Sequence, residues 1–360
     1  MEKTHAFKLA GTAMFILSAA TSALAAEGFK LRFPVSGTLG GEIVAPLPSE
    51  GWVGSMAITD VNVDGVMGAD GKAIQLKPTY TFPAGQVPAT VDFSAKQRQT
   101  LANMTLVKLL SPDVQGGKLA LAINIPYALS FDADLKFSGT TPAAITALGL
   151  GTAYQTALLN KGPVNSTNTS GLGDIETSVL WEKTIDKFKF LAGATLVLPT
   201  GNYKYIAPTN FPTADNGSSK PNIGFGNFYT VRTGLGMAYN ASDSLTLGAR
   251  GSLGFNTENS DSKVRSGNFY AIDLAAAFKT PVGVFGPHVT VMRQYTDDTG
   301  TGLNPALGTN TRLSITGAGA FATFPIKAIG AGLNLSYMKT IDAHNALSGS
   351  FVQARMTKVF

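Results

Sequence analysis

Hydrophobic and polar residues alternate with a period of two along most of this chain. Twelve such segments predict strands, at 51–62, 102–110, 117–130, 174–184, 187–199, 228–240, 244–256, 268–279, 284–296, 311–324, 328–339 and 350–360. Strand 244–256 places Leu245, Leu247, Ala249, Leu253 and Phe255 on one face, and Thr246, Arg250, Ser252 and Asn256 on the other. Strand 228–240 repeats this, with Tyr229, Val231, Leu235, Met237 and Tyr239 opposite Thr230, Arg232 and Asn240. Strand 268–279 sets Tyr270, Ile272, Leu274 and Phe278 against Asp273 and Lys279. Most segments reach the roughly 9–11 residues that a tilted membrane strand needs. The pattern predicts an all-β chain, a twelve-stranded antiparallel transmembrane β-barrel with its apolar face outward and its polar face lining the lumen.

The connections sort into two classes that alternate. SPDVQGG, KTIDKFK, NASDS, KTPVG and FPIKA are short; 200–227, 257–267 and 297–310 are long and polar. Outer-membrane barrels have short periplasmic turns and long external loops, and twelve strands put both ends of the barrel on the short-turn side. A soluble sandwich has no reason to sort its loops by parity. Aromatics also gather at the ends of the apolar faces. Tyr229, Phe255, Tyr270, Tyr295 and Tyr337 are expected at one rim, and Trp52, Trp181, Tyr239, Phe278 and Phe360 at the other. The final strand, with Val352, Ala354, Met356 and Lys358 on one face and Gln353, Arg355 and Thr357 on the other, ends on Phe360. A terminal aromatic of this kind resembles the signal by which the barrel-assembly machinery takes up its clients.

The first 25 residues read as a signal peptide. Lys3 and Lys8 form the basic region, Leu9 to Ala20 is mostly apolar, and Ala23-Leu24-Ala25 is a small-x-small cleavage site. Residues 26–50 follow as a separate N-terminal segment before the barrel at 51–360. Pro46, Pro48 and the glycines at 37, 40 and 41 argue against a thirteenth strand there. Phe29, Leu31 and Phe33 need a place to bury, and the lumen is the nearest enclosed space, so the segment is expected either to plug the barrel or to fold against its rim.

Composition narrows the picture further. The chain has no cysteine, which excludes disulfides and thiolate metal sites, and carries 14% charged residues with a net charge of +5. Loss of Glu2, Lys3 and Lys8 with the signal peptide lowers that charge by one. No run of lysine and arginine points to nucleic acid. Arg232, Arg250, Arg312, Arg355, Glu176, Glu182 and Asp273 all fall on polar strand faces and are the predicted lumen-lining residues along a substrate path.

Asp60-Val-Asn62-Val-Asp64-Gly65 matches the first half of a calcium loop, but the closing glutamate would fall at Gly71, and a solvated loop leaving the first strand is expected instead. His288 and Thr290 share a strand face without an evident third member of a triad, which favours a wall histidine over a catalytic one. No cofactor and no metal are expected. In the loop at 139–172, Pro142 opens a short apolar helical pattern, read as a helix packed onto the barrel mouth or as an entry surface for apolar substrate.

Two stretches carry a family resemblance. GLGDIETSVLWEKT at 171–184 with FLAGATLVLPTGNY at 190–203, and 254–300 leading to QYTDDTG, resemble the meta-pathway of phenol degradation family of outer-membrane proteins. In that family Gly-Leu-Gly-Asp opens a strand, Leu-Pro-Thr-Gly ends the next, and Tyr-Thr-Asp-Asp ends another. Here these are Gly171 to Asp174, Leu198 to Gly201, and Gln294 to Asp298. The family is similar to outer-membrane hydrocarbon and long-chain fatty-acid transporters. The resemblance implies a non-enzymatic outer-membrane channel for apolar or aromatic small molecules, associated with aromatic catabolism. A lipid-modifying enzyme and a structural barrel without transport are the alternatives.

Overall fold

Period-two alternation becomes a closed sheet in the computed structural model. It describes residues 51–76, 79–82, 85–161, 165–166, 169–203, 223–303 and 312–360. The signal peptide, and Phe29, Leu31 and Phe33 with the rest of 26–50, lie outside the described residues. The wall is built from β1 (Trp52–Met67), β2 (Val91–Val114), β3 (Gly117–Ser138), β4 (Glu176–Ile185), β5 (Phe188–Val197), β6 (Thr230–Asn240), β7 (Leu245–Asn256), β8 (Phe269–Thr280), β9 (Gly283–Gln294), β10 (Ser314–Ile326), β11 (Ala331–His344) and β12 (Ala346–Val359). Each pairs antiparallel with its sequence neighbours, and β12 pairs with β1 to close a twelve-stranded barrel. Residues at the seam lock reciprocally: Trp52 N–H donates to the Phe360 carbonyl, and Phe360 N–H donates to that of Trp52. Closure leaves no wall edge to add further strands.

The outward face is the apolar one. Met104, Leu121, Val179, Leu235, Leu274 and Val352 are all exposed, and Leu235 is 71% exposed. Their neighbours one position along the chain are buried or half-buried. Two aromatic girdles border this belt. Tyr127, Tyr229, Phe255 and Tyr295 are exposed at the long-connection end, where the half-buried Tyr270 joins them. Tyr337, expected at this rim, instead lies midway along β11 beside Val352, within the apolar belt, because β11 runs on past it to His344. At the other end Phe188 stacks on Tyr239 with centroids 4.8 Å apart, and Phe285 meets Phe324 edge-on at 5.5 Å. Lysines flank this lower girdle, Lys108 Nζ lying 4.9 Å from the Trp52 ring and Lys358 Nζ 5.3 Å from Phe360. Along β6, Tyr229 and Tyr239 are ten residues apart, which spans about 25 Å at a strand rise of ~3.3 Å and a tilt of ~40°. That matches the hydrocarbon band of an outer membrane, and it makes this chain an outer-membrane barrel.

The strands differ from expectation in four places. β2 and β3 run well beyond the predicted 102–110 and 117–130, because above the belt their outer face turns polar, with Lys96 and Arg98 across from Asp134 and Asp132. Alternation of apolar with polar stops there although the ladder continues. Asp60 to Gly65 is therefore strand and not a loop: the Arg98 guanidinium donates to Asp60 at 3.3 Å, and Ser348 Oγ donates to Asp64 at 3.0 Å. The β11–β12 connection, expected to be long, separates the two strands by the single residue Asn345, with a φ of 46°. Asparagine tolerates that left-handed conformation better than most residues. The β11–β12 ladder itself ends at Lys339 and Ser350, and the residues beyond pair outward with β10 and β1. Fourth, β10 begins at Ser314, so Arg312 precedes it.

Helical structure above β2 and β3 follows the pattern read after Pro142. Helices α1 (Ala143–Ala147) and α2 (Gly151–Lys161) bury Ile145 and Tyr154 against Ala89, Val91 and Phe137. Gln155 Nε2 donates to the Gly139 carbonyl and to Thr141 Oγ1. Ile145 and Tyr154 are thus committed to packing on the strand extensions, while Leu148 stays exposed.

Candidate functional site: the ion-paired lumen and its rim

Inward positions carry charge in pairs. Arg232 on β6 meets Glu176 on β4 at 2.8 Å, spanning β5. Arg250 on β7 meets Asp273 on β8 at 2.8 Å, and Thr290 on β9 donates its hydroxyl to the other oxygen of Asp273. Lys189 on β5 meets Glu182 on β4 at 3.0 Å. Lys118 is the cross-strand partner of Glu182, so it shares that inner face. Lys279 Nζ donates to Asn240 Oδ1 at 3.4 Å near the short turns. Arg232, Glu182, Lys189 and Asp273 are all buried. Charges held away from bulk water persist only when paired and hydrogen-bonded, and the alternation of faces is what delivers opposite charges to facing positions of neighbouring strands.

Six of the seven predicted lumen residues share this inner face. Arg355 on β12 lies across from buried Ala57 of β1 and donates to Gln353 Oε1 at 3.1 Å, while Gln353 donates to Thr59. Arg312 is the exception. It sits in the connection before β10, half-exposed, in a bidentate pair with Asp297 at 2.8 and 3.1 Å. The strand begins three residues later than its alternation implies, so Arg312 belongs to the rim. Hydrogen bonding from Arg312 and its charge hold the Asp297 carboxyl below the usual carboxylate range, against a smaller opposing effect of burial, and Asp297 raises Arg312 in return. Alternation places Lys279 on the polar face with Asp273, whereas it does not single out Lys118 and Lys189 as lumen residues. Each lies within two residues of a short turn, where a lysine reads equally well as a solvated end.

His288 and Thr290 do not act together. His288 Nε2 lies 3.2 Å from the Tyr337 carbonyl oxygen, which can only accept, while the Thr290 hydroxyl is given to Asp273. The imidazole reaches across β10 at Gly319, where a Cβ would meet Nε2 at 2.4 Å. It also stacks on Phe321 at 6.3 Å. This is a wall histidine seated over a glycine.

The family-like motifs converge on the rim at the long-connection end. Asp174 accepts the backbone N–H of Gly201 through Oδ1 and that of Phe225 through Oδ2, both at 3.0 Å. Thr200 Oγ1 receives Ile175 N–H at 2.8 Å and donates to the Gly173 carbonyl. Gly201 and Gly224 approach so closely that a Cβ on Gly201 would lie 2.6 Å from the Gly224 Cα. Gly-Leu-Gly-Asp and Leu-Pro-Thr-Gly are thus two halves of one clasp joining the entry to β4, the exit from β5 and the approach to β6. A second clasp uses Gln294 to Asp298. Asp298 accepts from Gln294 Nε2 and from Gly267 N–H, Gln294 Oε1 accepts Leu313 N–H at 3.1 Å, and Thr296 Oγ1 accepts Asn268 N–H at 2.7 Å. These side chains satisfy loop backbone donors, and the motifs are architectural.

Comparison with known proteins agrees with this architecture. None of the curated proteins matches the chain. Among solved structures it is similar to an outer membrane channel from Pseudomonas putida F1, with a TM-score of 0.59 at 15% identity, covering 88% of this chain and 97% of that one. It also aligns with the toluene transporter TodX of Pseudomonas putida, at a TM-score of 0.40 and 9% identity over 94% of this chain and 96% of that one. The model of the family described as "Putative MetA-pathway of phenol degradation" matches residues 92–356, a span that takes in both clasps and eleven of the twelve strands, and the chain belongs to that family.

Proposed function

We propose that this protein is a passive outer-membrane channel that admits apolar-bodied or aromatic small molecules. The observation that carries this reading is the inner face itself. Paired polar groups run from Glu176 and Arg232 near one mouth, through Arg250 and Asp273, to Glu182 and Lys189 near the other. Buried ion pairs carry a desolvation cost that apolar packing would avoid, which favours a working lumen over a filled one. Twelve strands lie between the eight that side chains fill and the sixteen or more that leave a wide aqueous pore, so a narrow, selective path is expected. The family name supplies the link to aromatic catabolism. The reading is non-enzymatic, since Thr290 is tied to Asp273 and not to His288. Arg232, Arg250, Arg355, Glu176, Glu182 and Asp273 are its proposed substrate path, and Phe360 is the proposed contact for the barrel-assembly machinery.

The test is flux through the purified full-length protein in liposomes, with aromatic and aliphatic solutes offered in parallel. Arg250→Ala should change that flux, and the paired change Arg250→Gln with Asp273→Asn should retain a heat-modifiable barrel with altered flux. Flux that stays the same in both would remove the path role. The N-terminal plug is a separate proposal, resting on Phe29, Leu31 and Phe33 in a chain segment too rich in proline and glycine for a strand. Deleting residues 27–48 behind the signal peptide should leave a folded barrel with added conductance in planar bilayers. A folded deletion variant without added conductance would refute the plug.

A further inference from the structure

Charge on the inner face is distributed unevenly around the barrel. Among the described residues, Lys118, Lys189, Arg232, Arg250 and Lys279 with Glu176, Glu182 and Asp273 all lie on the contiguous strands β3 to β8. The opposite half, β9 to β12 with β1 and β2, presents buried Met292, Phe321, Met338 and Phe351 among neutral polar groups. Arg355 is the charge that the described inner face adds there. Strands six positions apart in a ring of twelve face each other, so a charged wall looks across the lumen at a neutral, partly aromatic one.

The charged wall is also a ladder. Arg232 lies near the long-connection mouth, Arg250 at mid-height, and Lys189, Lys118 and Lys279 within two residues of the short turns. Six cations, counting Arg355, stand against three anions. The acidic partners hold the guanidinium and ammonium groups in place but leave the inner face with a cationic excess. A neutral hydrocarbon gains nothing from such a wall and must displace water from it. An anion gains from the net positive potential along this wall, because a narrow low-dielectric passage strengthens it relative to bulk water. Several moderate sites in series favour entry without trapping the solute.

We infer that the channel's substrates are amphiphilic anions, with a carboxylate or like group carried on an aromatic or aliphatic body. The head group steps along the partly exposed Arg250 and Lys279, below the buried Arg232, while the body faces the side that carries Phe321, Met338 and Phe351. This rests on the channel reading above and narrows its substrate class. The carboxylate could belong to an aromatic acid or a short fatty acid, and the experiment separates the two.

Purified full-length protein in liposomes is offered benzoate, octanoate, neutral benzyl alcohol and cationic benzylamine, and its ion selectivity is read in planar bilayers across a KCl gradient. Benzyl alcohol crosses lipid unaided, so its flux is read as the excess over protein-free liposomes. The expected result is an anion-to-cation permeability ratio above one, with benzoate or octanoate flux several-fold above benzylamine. Faster benzoate than octanoate assigns aromatic acids, and the reverse assigns aliphatic ones. Lys118→Gln with Lys279→Gln, at half-buried positions by the short turns, should lower the permeability ratio toward one in a barrel that still shifts on heating. If the four solutes show comparable protein-dependent flux, or benzylamine leads, the anion inference fails while the channel stands. If no solute shows protein-dependent flux, the channel reading fails and takes this inference with it. Should the double variant not assemble, the permeability ratio of the unmodified protein decides alone.

Discussion

At the scale of single residues, polar side chains here mostly serve backbone. Asp174 illustrates the point, since its two oxygens accept N–H groups from two different connections. Asp174→Ala would leave both donors without that acceptor in a buried place, at a cost of about 1–3 kcal/mol for an unsatisfied group. The expected outcome is a barrel that assembles but unfolds at lower denaturant concentration. An unchanged midpoint would mean that water replaces the carboxylate without loss. Asp297 offers a pH-dependent counterpart. Its carboxyl is held below the ordinary value of 3.8 by Arg312. A depressed folded-state pKa contributes stability that is present above the unfolded value and is lost as pH falls through the folded one. Carbon NMR of labelled aspartate should place Asp297 below its ordinary range, and Arg312→Gln should return it there. The family motifs showed in the sequence that these residues matter. What they do was not legible, because a clasp is a relation between segments 19 to 51 residues apart.

Elements were the most legible level, and the reason is physical. A strand with lipid on one side and water or polar side chains on the other must alternate, so period two survives wherever the membrane enforces it. Legibility ends where that constraint ends. Lys96, Arg98, Asp132 and Asp134 lie on the outer face above the belt, so the extensions of β2 and β3 look like polar loop. Residues 340–349 read as a connection because polar residues on both faces there hide strand that pairs outward, with β10 and β1, beyond the last β11–β12 rung at Lys339 and Ser350. Long connections nevertheless gather at one end of the barrel and short turns at the other. Cysteines placed at Ser260 and Thr301, both exposed on long connections, should react with an impermeant thiol reagent on intact cells. Cysteines at Asp113 and Ser242, near the short turns, should stay unlabelled until the outer membrane is opened. The reverse pattern would invert the barrel in the membrane.

For the whole molecule, one solvent boundary organises both surfaces. The outer belt is stabilised by lipid in place of a packed core, while the inner face carries the buried ion pairs. The two faces therefore predict opposite responses to the same substitution. Leu235 lies midway along β6 between the girdle tyrosines Tyr229 and Tyr239 and is 71% exposed, so its side chain meets the bilayer midplane. Leu235→Arg should destabilise the folded barrel in lipid vesicles by about 2–4 kcal/mol, and Tyr229→Arg at the interface by about 0–1 kcal/mol. Arg232, three residues from Leu235 along the same strand, is already an arginine, and it is tolerated because it points to Glu176 and not to lipid. Reversible denaturation of the variants in vesicles measures this directly. A Leu235→Arg penalty no larger than that at Tyr229 would mean that this face of β6 is covered by protein, and would place a second copy or partner against it.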